Sequence, residues 1–339
     1  MKAKALICSE ENNFSVENVF FAQPKADEVV IKNFYSGISI GTEFSIINKK
    51  VNWGEFPVCT GYMGTGVIES IGDKIKNFSV GDKVYYRKNN QMFLTHDGTP
   101  VSAAAGVHCS KIITNPDGIY GIGKLPNNID MATACMFVLP AVGLHGVNMP
   151  NPKLNDIVLV NGCGMIGLGS IIACVNRGCR VIGIDINDNR LEIAKNFGAE
   201  ITYNPSDDKD LEKYILSLYP DGVDLFIECT GIPDIINKTV SLCKTYGKYS
   251  WQGNYGEKGV LIDYQKITNK KLTMYFPSDD GLQHCRENVI TRIQNGMLPW
   301  EKCLTHKVSA YNAPHLYERI QNGKEKEIMG ALIKWENCE

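Results

Sequence analysis

The first half of the chain carries its apolar residues in short runs separated by turn residues, whereas the second half alternates β-branched apolar runs with helical stretches. Residues 3–8, 14–19, 29–34, 66–71 and 83–86 are runs of the first kind, bounded by signals such as Gln23-Pro24 and Gly81-Asp82. Short apolar segments between turn signals predict strands, here of a compact, irregular β domain. Near residues 129–147 the pattern becomes helical, with Pro140 interrupting it. From Leu154 onward strands and helices alternate, the pattern of a parallel sheet. Strands are expected at 157–160, 180–185, 200–203, 223–228, 248–252 and 272–276. Helices are expected at 166–175, 189–197 (stopped by Gly198), 210–219 and 235–243. From about residue 288 the tail reads as one or two helices and a closing strand at 331–335. The expected division is therefore a β-rich domain over 1–141, a parallel-sheet domain over 142–276, and a segment, 277–339, that returns to the first domain.

The run from Leu159 to Gly169 carries the clearest chemistry. A short β-branched strand leads into Gly162, Gly164 and Gly167, spaced G-x-G-x-x-G, and a helical run follows. The first glycine permits a tight turn, the second lets backbone approach a pyrophosphate, and the third lets helix pack on strand. The helix N-terminus then faces the negative charge, which makes Met165 and Ile166 contacts of the ligand as well. About 20 residues on, Asp185 ends the next apolar strand, where a carboxylate accepts hydrogen bonds from the 2′- and 3′-hydroxyls of an adenosine ribose and repels a 2′-phosphate. The cofactor expected is NAD rather than NADP, with Thr230, in the turn after the fourth strand, added to the cofactor set. Two plainer readings stand beside this one: glycines pack helices on strands in many sheets, and Asp185 has the position of a cap for the helix beginning near Asn187. The uncharged stretch 157–175 is long enough to suggest a membrane span, but four glycines and Asn161 break it into a buried strand and a buried helix.

Composition narrows the function further. A chain of 339 residues, 44% hydrophobic and 21% charged, is long enough for two domains and a large core. Its formal charge of −2 offers no excess positive charge to draw nucleic acid or an anionic membrane, and neither partner is expected. The first ten residues lack the apolar core of a secretion signal, which points to a cytoplasmic protein. Twelve cysteines raise the question of metal binding, yet no C-x-x-C pair occurs. Cys135, Cys174, Cys229 and Cys243 lie in apolar runs and read as small core residues.

The runs Gly61-Tyr62-Met63-Gly64-Thr65-Gly66-Val67-Ile68, Val80-Gly81-Asp82-Lys83-Val84 and Asn161-Gly162-Cys163-Gly164-Met165-Ile166-Gly167 occur in that order. Over nearly its whole length the chain resembles the medium-chain dehydrogenase/reductase superfamily. The resemblance implies an α/β fold of a GroES-like β-rich catalytic domain plus a Rossmann doubly wound parallel-sheet domain, with the active site in a cleft between them. It also implies a homodimer or homotetramer, and places Asp185 and Arg190 at the adenosine ribose.

In the alcohol-dehydrogenase-like branch a catalytic zinc is held by a Cys, a His-Glu pair and one later Cys or acid. The corresponding positions here are Ile40, Tyr62-Met63 and Val138, which lack the donors zinc requires. A four-cysteine lobe expected after Tyr86 is also missing, and Ser39, one residue away from the first slot, makes a poor ligand among apolar neighbours. No metal is expected. Zinc would polarise the carbonyl or carbinol oxygen, so a positioned acid/base has to take its place. Tyr62 is the first candidate and Thr42 the second, since it matches the hydroxyl that passes a proton in the zinc enzymes. Glu43 matches the acid that orients that relay. Each has a plainer reading: Tyr62 as filler of the space left by zinc, Glu43 as a structural acid. His108 reads as packing or a surface hydrogen bond, and His145 as a helical residue near the cleft. The run Ser36-Gly37-Ile38-Ser39-Ile40-Gly41-Thr42-Glu43 resembles a zinc-free branch that includes bacteriochlorophyllide 2-hydroxyethyl dehydrogenases. The function implied is a zinc-independent NAD(H)-dependent oxidoreductase acting on a small-molecule secondary alcohol or ketone, with polyols, cyclitols and sugars as the family's habitual substrates. Alternatives are an NADPH-type quinone or enone reductase, and an NAD-binding protein without net redox turnover.

Overall fold

Strand Val29–Ile38, ten residues long and buried at most positions, organises the first part of the molecule. The computed structural model describes residues 1–206, 210–256, 259–336 and 338. The chain divides into two compact units, Met1–Phe137 with Glu287–Glu339, and Val138–Arg286. In the first unit Val29–Ile38 pairs along one edge with Gly64–Ile71. On its other edge it takes Lys111–Thr114 beside Val29–Lys32 and the tail strand Gly330–Lys334 beside Tyr35–Ile38, all antiparallel. A closed barrel stands next to this sheet, built from Lys2–Cys8, Phe14–Phe21, Met92–Leu94, Pro100–Ala103 and Val58–Cys59. The alternation read from the sequence supplies the core: Ala5, Val19, Ile31 and Ile112 fill one cluster. Leu6, Ile38, Ile47, Leu316 and Trp335 fill another, which ties the tail to the first strands.

The second unit is a six-stranded parallel sheet in the order Ile201–Tyr203, Arg180–Ile184, Ile157–Asn161, Val223–Glu228, Cys243–Trp251, Thr273–Tyr275. Numbered along the sheet's own chain this is 3-2-1-4-5-6, the doubly wound order whose ligand crevice opens at the C-terminal ends of strands 1 and 4. Asn161 is in register with Ile184 on one side and Glu228 on the other, so the strand ends that carry the chemistry finish level. Leu159, Ile182, Phe226 and Tyr249 form the centre of its core. This two-unit α/β architecture is the one the resemblance implied.

Several elements differ from the sequence expectation, for local reasons. The helical stretch expected over 129–147 is two helices, Met131–Ala134 and Val138–Asn148, and Pro140 does not break the second. It sits in the first turn, where a missing N–H costs nothing because that N–H has no intrahelical partner. The helix expected over 235–243 starts at Pro233, with its fixed φ suited to the first helical position, and ends at Thr239. One turn of 3-10 helix, Val240–Leu242, follows, and Cys243 already begins the next strand. Helices Ile40–Ile47 and Tyr264–Lys270 were not expected, and Leu282–Gln294 starts ahead of the expected position near 288. None of the twelve cysteines is in a disulfide. Among the described residues no helix is long and apolar enough to cross a membrane.

Candidate functional site

The glycine loop of the second unit is built as a cradle. Gly162 has φ +93°, in the left-handed region, and its N–H bonds the carbonyl of Ile184 at 2.7 Å. A Cβ on Gly167 would run into the Gly162 carbonyl, so helix and strand meet at a distance only glycine allows. A Cβ on Gly164 would meet nothing within 4 Å: the second glycine faces open space. Gly164 is also the N-cap of helix Met165–Val175, and neither a capping side chain nor a first-turn acid answers the helix's first amides. The N–H groups of Met165 and Ile166 and the positive end of the helix are thus directed at whatever anion approaches the loop.

Asp185 is buried beside this loop, its carboxylate accepting the N–H of Cys163 at 2.7 Å and of Asn187 at 2.9 Å, with Arg190 at 3.8 Å. A carboxylate has about four acceptor directions, so two remain for a ribose diol. Asn187, not Asp185, caps the following helix by accepting the Arg190 N–H at 3.2 Å. Thr230 lies against Gly162, with its N 3.2 Å from where a Cβ there would be. It is held by Glu228, which sequence reasoning missed. That fully buried acid accepts the N–H of Thr230 at 2.7 Å and of Gly231 at 3.3 Å, and close hydrogen bonds from the Thr230 and Tyr255 hydroxyls. The available signal was positional: Glu228 ends its apolar strand as Asp185 follows the end of another. These residues suit a dinucleotide, with the loop and helix at the pyrophosphate and Asp185 at the ribose.

In the first unit the Ser36–Glu43 run turns from strand into helix at Ser39, and this turn brings the hydroxyl residues together. Tyr62, only 7% exposed, donates to Ser39 Oγ at 2.5 Å and reaches Thr42 Oγ1 at 3.4 Å. Ser39, set aside in the sequence as a poor ligand, is therefore Tyr62's nearest partner. Burial pushes the Tyr62 phenol up, and its hydrogen bonds with Ser39 and Thr42, together with the nearby Arg87 charge, only partly offset it. Tyr62 is a neutral phenol at neutral pH.

Glu43 is fully buried and its oxygens are committed. Oε1 accepts the Ser39 N–H at 2.7 Å. Oε2 accepts from Thr60 Oγ1 at 2.7 Å, Tyr317 Oη at 2.6 Å and His108 Nε2 at 2.9 Å. Burial pushes the Glu43 carboxyl up, but the neighbouring His108 and the hydrogen bonds outweigh it and leave the group below its ordinary value. The Glu43 carboxylate makes its hydrogen bonds to neither the Thr42 nor the Tyr62 hydroxyl; it acts on that cluster through the backbone N–H of Ser39. His108 is fully buried rather than at the surface: its Nδ1 meets Ser36 Oγ at 2.7 Å, and Ser36 Oγ accepts the Trp335 indole N–H at 2.8 Å. The bond to the Glu43 carboxylate, which can only accept, assigns a proton to Nε2. Tyr317, Trp335, Ser36 and His108 were not legible as one group, because 299 positions separate Ser36 from Trp335.

The donor set does not fit zinc. Ile40 and Val138 carry no donor atom, the Tyr62 hydroxyl is bonded to Ser39, and Met63 is fully buried with its side chain packed around Gly37. Among the described residues no three His, Cys, Asp or Glu side chains gather as a metal site.

A doubly wound unit whose glycine cradle and acid suit a nicotinamide dinucleotide, carried with a barrel unit holding a buried hydroxyl cluster, defines a cofactor-dependent oxidoreductase. Comparison with known families agrees: residues 25–135 match the alcohol dehydrogenase GroES-like domain, and residues 166–292 match the family described as zinc-binding dehydrogenase. The chain belongs to the medium-chain dehydrogenase/reductase superfamily and is an oxidoreductase of the alcohol dehydrogenase type. It is 25% identical over 356 aligned residues to an erythritol/L-threitol dehydrogenase of Mycolicibacterium smegmatis, covering 96% of each chain. It is 27% identical over 367 to the alcohol dehydrogenase class-2 isozyme 2 of Oryctolagus cuniculus, again covering 96% of each. A crystal structure of an Escherichia coli oxidoreductase/dehydrogenase of unknown specificity has the same fold, with a TM-score of 0.84 at 20% identity over 98% of this chain and 99% of that one.

Proposed function

We propose that the protein is a zinc-independent, NAD(H)-dependent dehydrogenase that interconverts a secondary alcohol and its ketone, with polyols, cyclitols or sugars as the substrate class. The observation that carries this reading is the contact of Tyr62, which the resemblance sets at a former metal-ligand position, with Ser39 at 2.5 Å and with Thr42 at 3.4 Å. The kinship to an erythritol/L-threitol dehydrogenase supports a polyol. Asp185 supports NAD over NADP, because a buried carboxylate repels a 2′-phosphate.

Bound nicotinamide supplies the hydride donor or acceptor; the chain supplies the rest. The amides of Met165 and Ile166 hold the pyrophosphate, Asp185 and Arg190 the ribose, and Thr230 lines the loop. In the direction of reduction the Tyr62 hydroxyl donates its proton to the substrate oxygen, and Ser39 or Thr42 returns one to it. In oxidation the proton runs the other way. A neutral phenol held by two hydroxyls polarises a ketone oxygen as a hydrogen-bond donor does, without metal. Glu43 is a positioning residue, fixing the Ser39 backbone on which the cluster is built.

The test is turnover by chelator-treated enzyme, its metal content measured, against a panel of polyols with NAD and NADP. Persistent NADH formation is expected. Activity that disappears with the metal and returns with zinc overturns the metal-free reading, and preference for NADPH favours an enone reductase instead.

A further inference from the structure

The helix that leads away from the glycine cradle, Met165–Val175, ends in a turn with a cysteine at each end, Cys174 and Cys179. We propose that these two thiols form a modification site, closed to a disulfide by hydrogen peroxide or an organic hydroperoxide and reopened by a dithiol. The proposal goes beyond the dehydrogenase reading and does not rest on it.

Backbone geometry brings the pair together. Gly178 has φ +75°, a conformation that stops the helix, and its N–H returns to the Val175 carbonyl at 2.8 Å. The Cys179 N–H reaches one step further back, to the carbonyl of Cys174 at 3.1 Å. In a helix end closed by these two bonds, the side chains of the first and sixth residues commonly lie against each other as apolar packing. Here both side chains are thiols. They interact directly, the Cys174 thiol hydrogen-bonding to the sulfur of Cys179. That bond, with the Arg177 charge beside it, holds the Cys179 thiol below its ordinary value despite partial burial and the charges of Asp156 and Asp224. Burial pushes the Cys174 thiol up, and it pushes up the other ten cysteines as well. Cys179 is also half-buried, where ten of the twelve cysteines are buried.

Thiolate character and access select the cysteine that a peroxide meets first, and both point to Cys179. Its thiolate takes one oxygen from the peroxide, whose O–O bond breaks, and becomes a sulfenic acid. The departing hydroxide or alkoxide takes up the proton that Cys179 gave up. The Cys174 sulfur then attacks that of Cys179: the S–S bond forms, the S–O bond breaks, and the hydroxide released leaves as water with the Cys174 proton. The two sulfurs lose two electrons between them and the peroxide gains both.

The test treats the full chain with hydrogen peroxide, quenches it in acid and maps the cysteines by mass spectrometry of unreduced tryptic peptides. Trypsin cuts after Arg177, which separates Cys174 from Cys179 in the reduced protein and leaves their peptides joined in the oxidised one. Wild type is expected to lose two of its twelve thiols ahead of the rest, as a Cys174–Cys179 link lighter by two hydrogens, and to regain both with dithiothreitol. Cys179→Ser is expected to lose this early phase, and Cys174→Ser to stop at a Cys179 sulfenic acid that dimedone traps. A first link between any other pair, such as Cys174 with Cys229, overturns the proposal. So does a wild-type Cys179 that proceeds to sulfinic acid while Cys174 stays reduced, or a chain that loses no thiol until it unfolds. If either variant fails to fold, the wild-type peptide map decides alone.

Discussion

Replacing Glu43 with glutamine removes an acceptor from a place where four donors converge. Oε2 takes three of them, from Thr60, Tyr317 and His108, and Oε1 takes the Ser39 N–H, all between 2.6 and 2.9 Å. In Glu43→Gln the amide oxygen best serves the three-donor end, which leaves the amide N–H facing the Ser39 N–H. Two buried donors are then stranded at about 1–3 kcal/mol each, and the other bonds lose their charge assistance, for a total of about 3–5 kcal/mol. At roughly 2–4 °C per kcal/mol for a unit of this size, the first unit is expected to melt about 10 °C lower. Scanning calorimetry reads the shift, and NADH binding to the second unit serves as the control that remains. The pH dependence has a fixed sign. Because the native Glu43 carboxyl lies below its ordinary value of 4.5, its contribution is complete above that pH and is lost as pH falls through the native value. The stability gap between wild type and Glu43→Gln is therefore expected to narrow below pH 4.5. A melting temperature within about 2 °C of wild type at neutral pH refutes the network as described.

The cofactor half makes sharper demands. Asp185→Ala is expected to weaken NADH about 10- to 100-fold and NADPH much less, read by fluorescence titration, because two charge-assisted bonds to the ribose and the repulsion of a 2′-phosphate go together. Equal losses for both cofactors contradict the role given to Asp185. Gly164→Ala and Gly167→Ala separate approach from packing. The first adds a Cβ in open space and is expected to lower NADH affinity without changing the melting temperature of the apo protein; the second meets the Gly162 carbonyl and is expected to cost about 1–3 kcal/mol of stability as well. Since the Tyr62 phenol is held above its ordinary value of 10.0, ketone reduction is expected to be independent of pH from about 6 to 9. A fall centred near neutrality points to a different acid.

The glycine loop and Asp185 were legible because their signals are local: a strand, three glycines at fixed spacing, a helix and an acid at the next strand end all lie within one stretch of chain. The parallel sheet followed from the same periodicity. What failed to appear was structure made by distance. Ser36, Glu43, His108, Tyr317 and Trp335 share one hydrogen-bond network through long-range contacts, and no window along the chain contains more than two of them. The short helix Ile40–Ile47 was hidden inside a motif, and its consequence was the pairing of Tyr62 with Ser39. Pro140 misled for the opposite reason, since a residue that breaks a helix interior is harmless in its first turn.

The most direct test of the central claim is the turnover of Tyr62→Phe, a change that removes one oxygen and keeps the ring that packs near Arg87 and Trp53. With NADH affinity unchanged, kcat is expected to fall about 10²- to 10⁴-fold, the scale of a lost general acid/base. An unchanged kcat contradicts the assignment of Tyr62 as the group that replaces the metal.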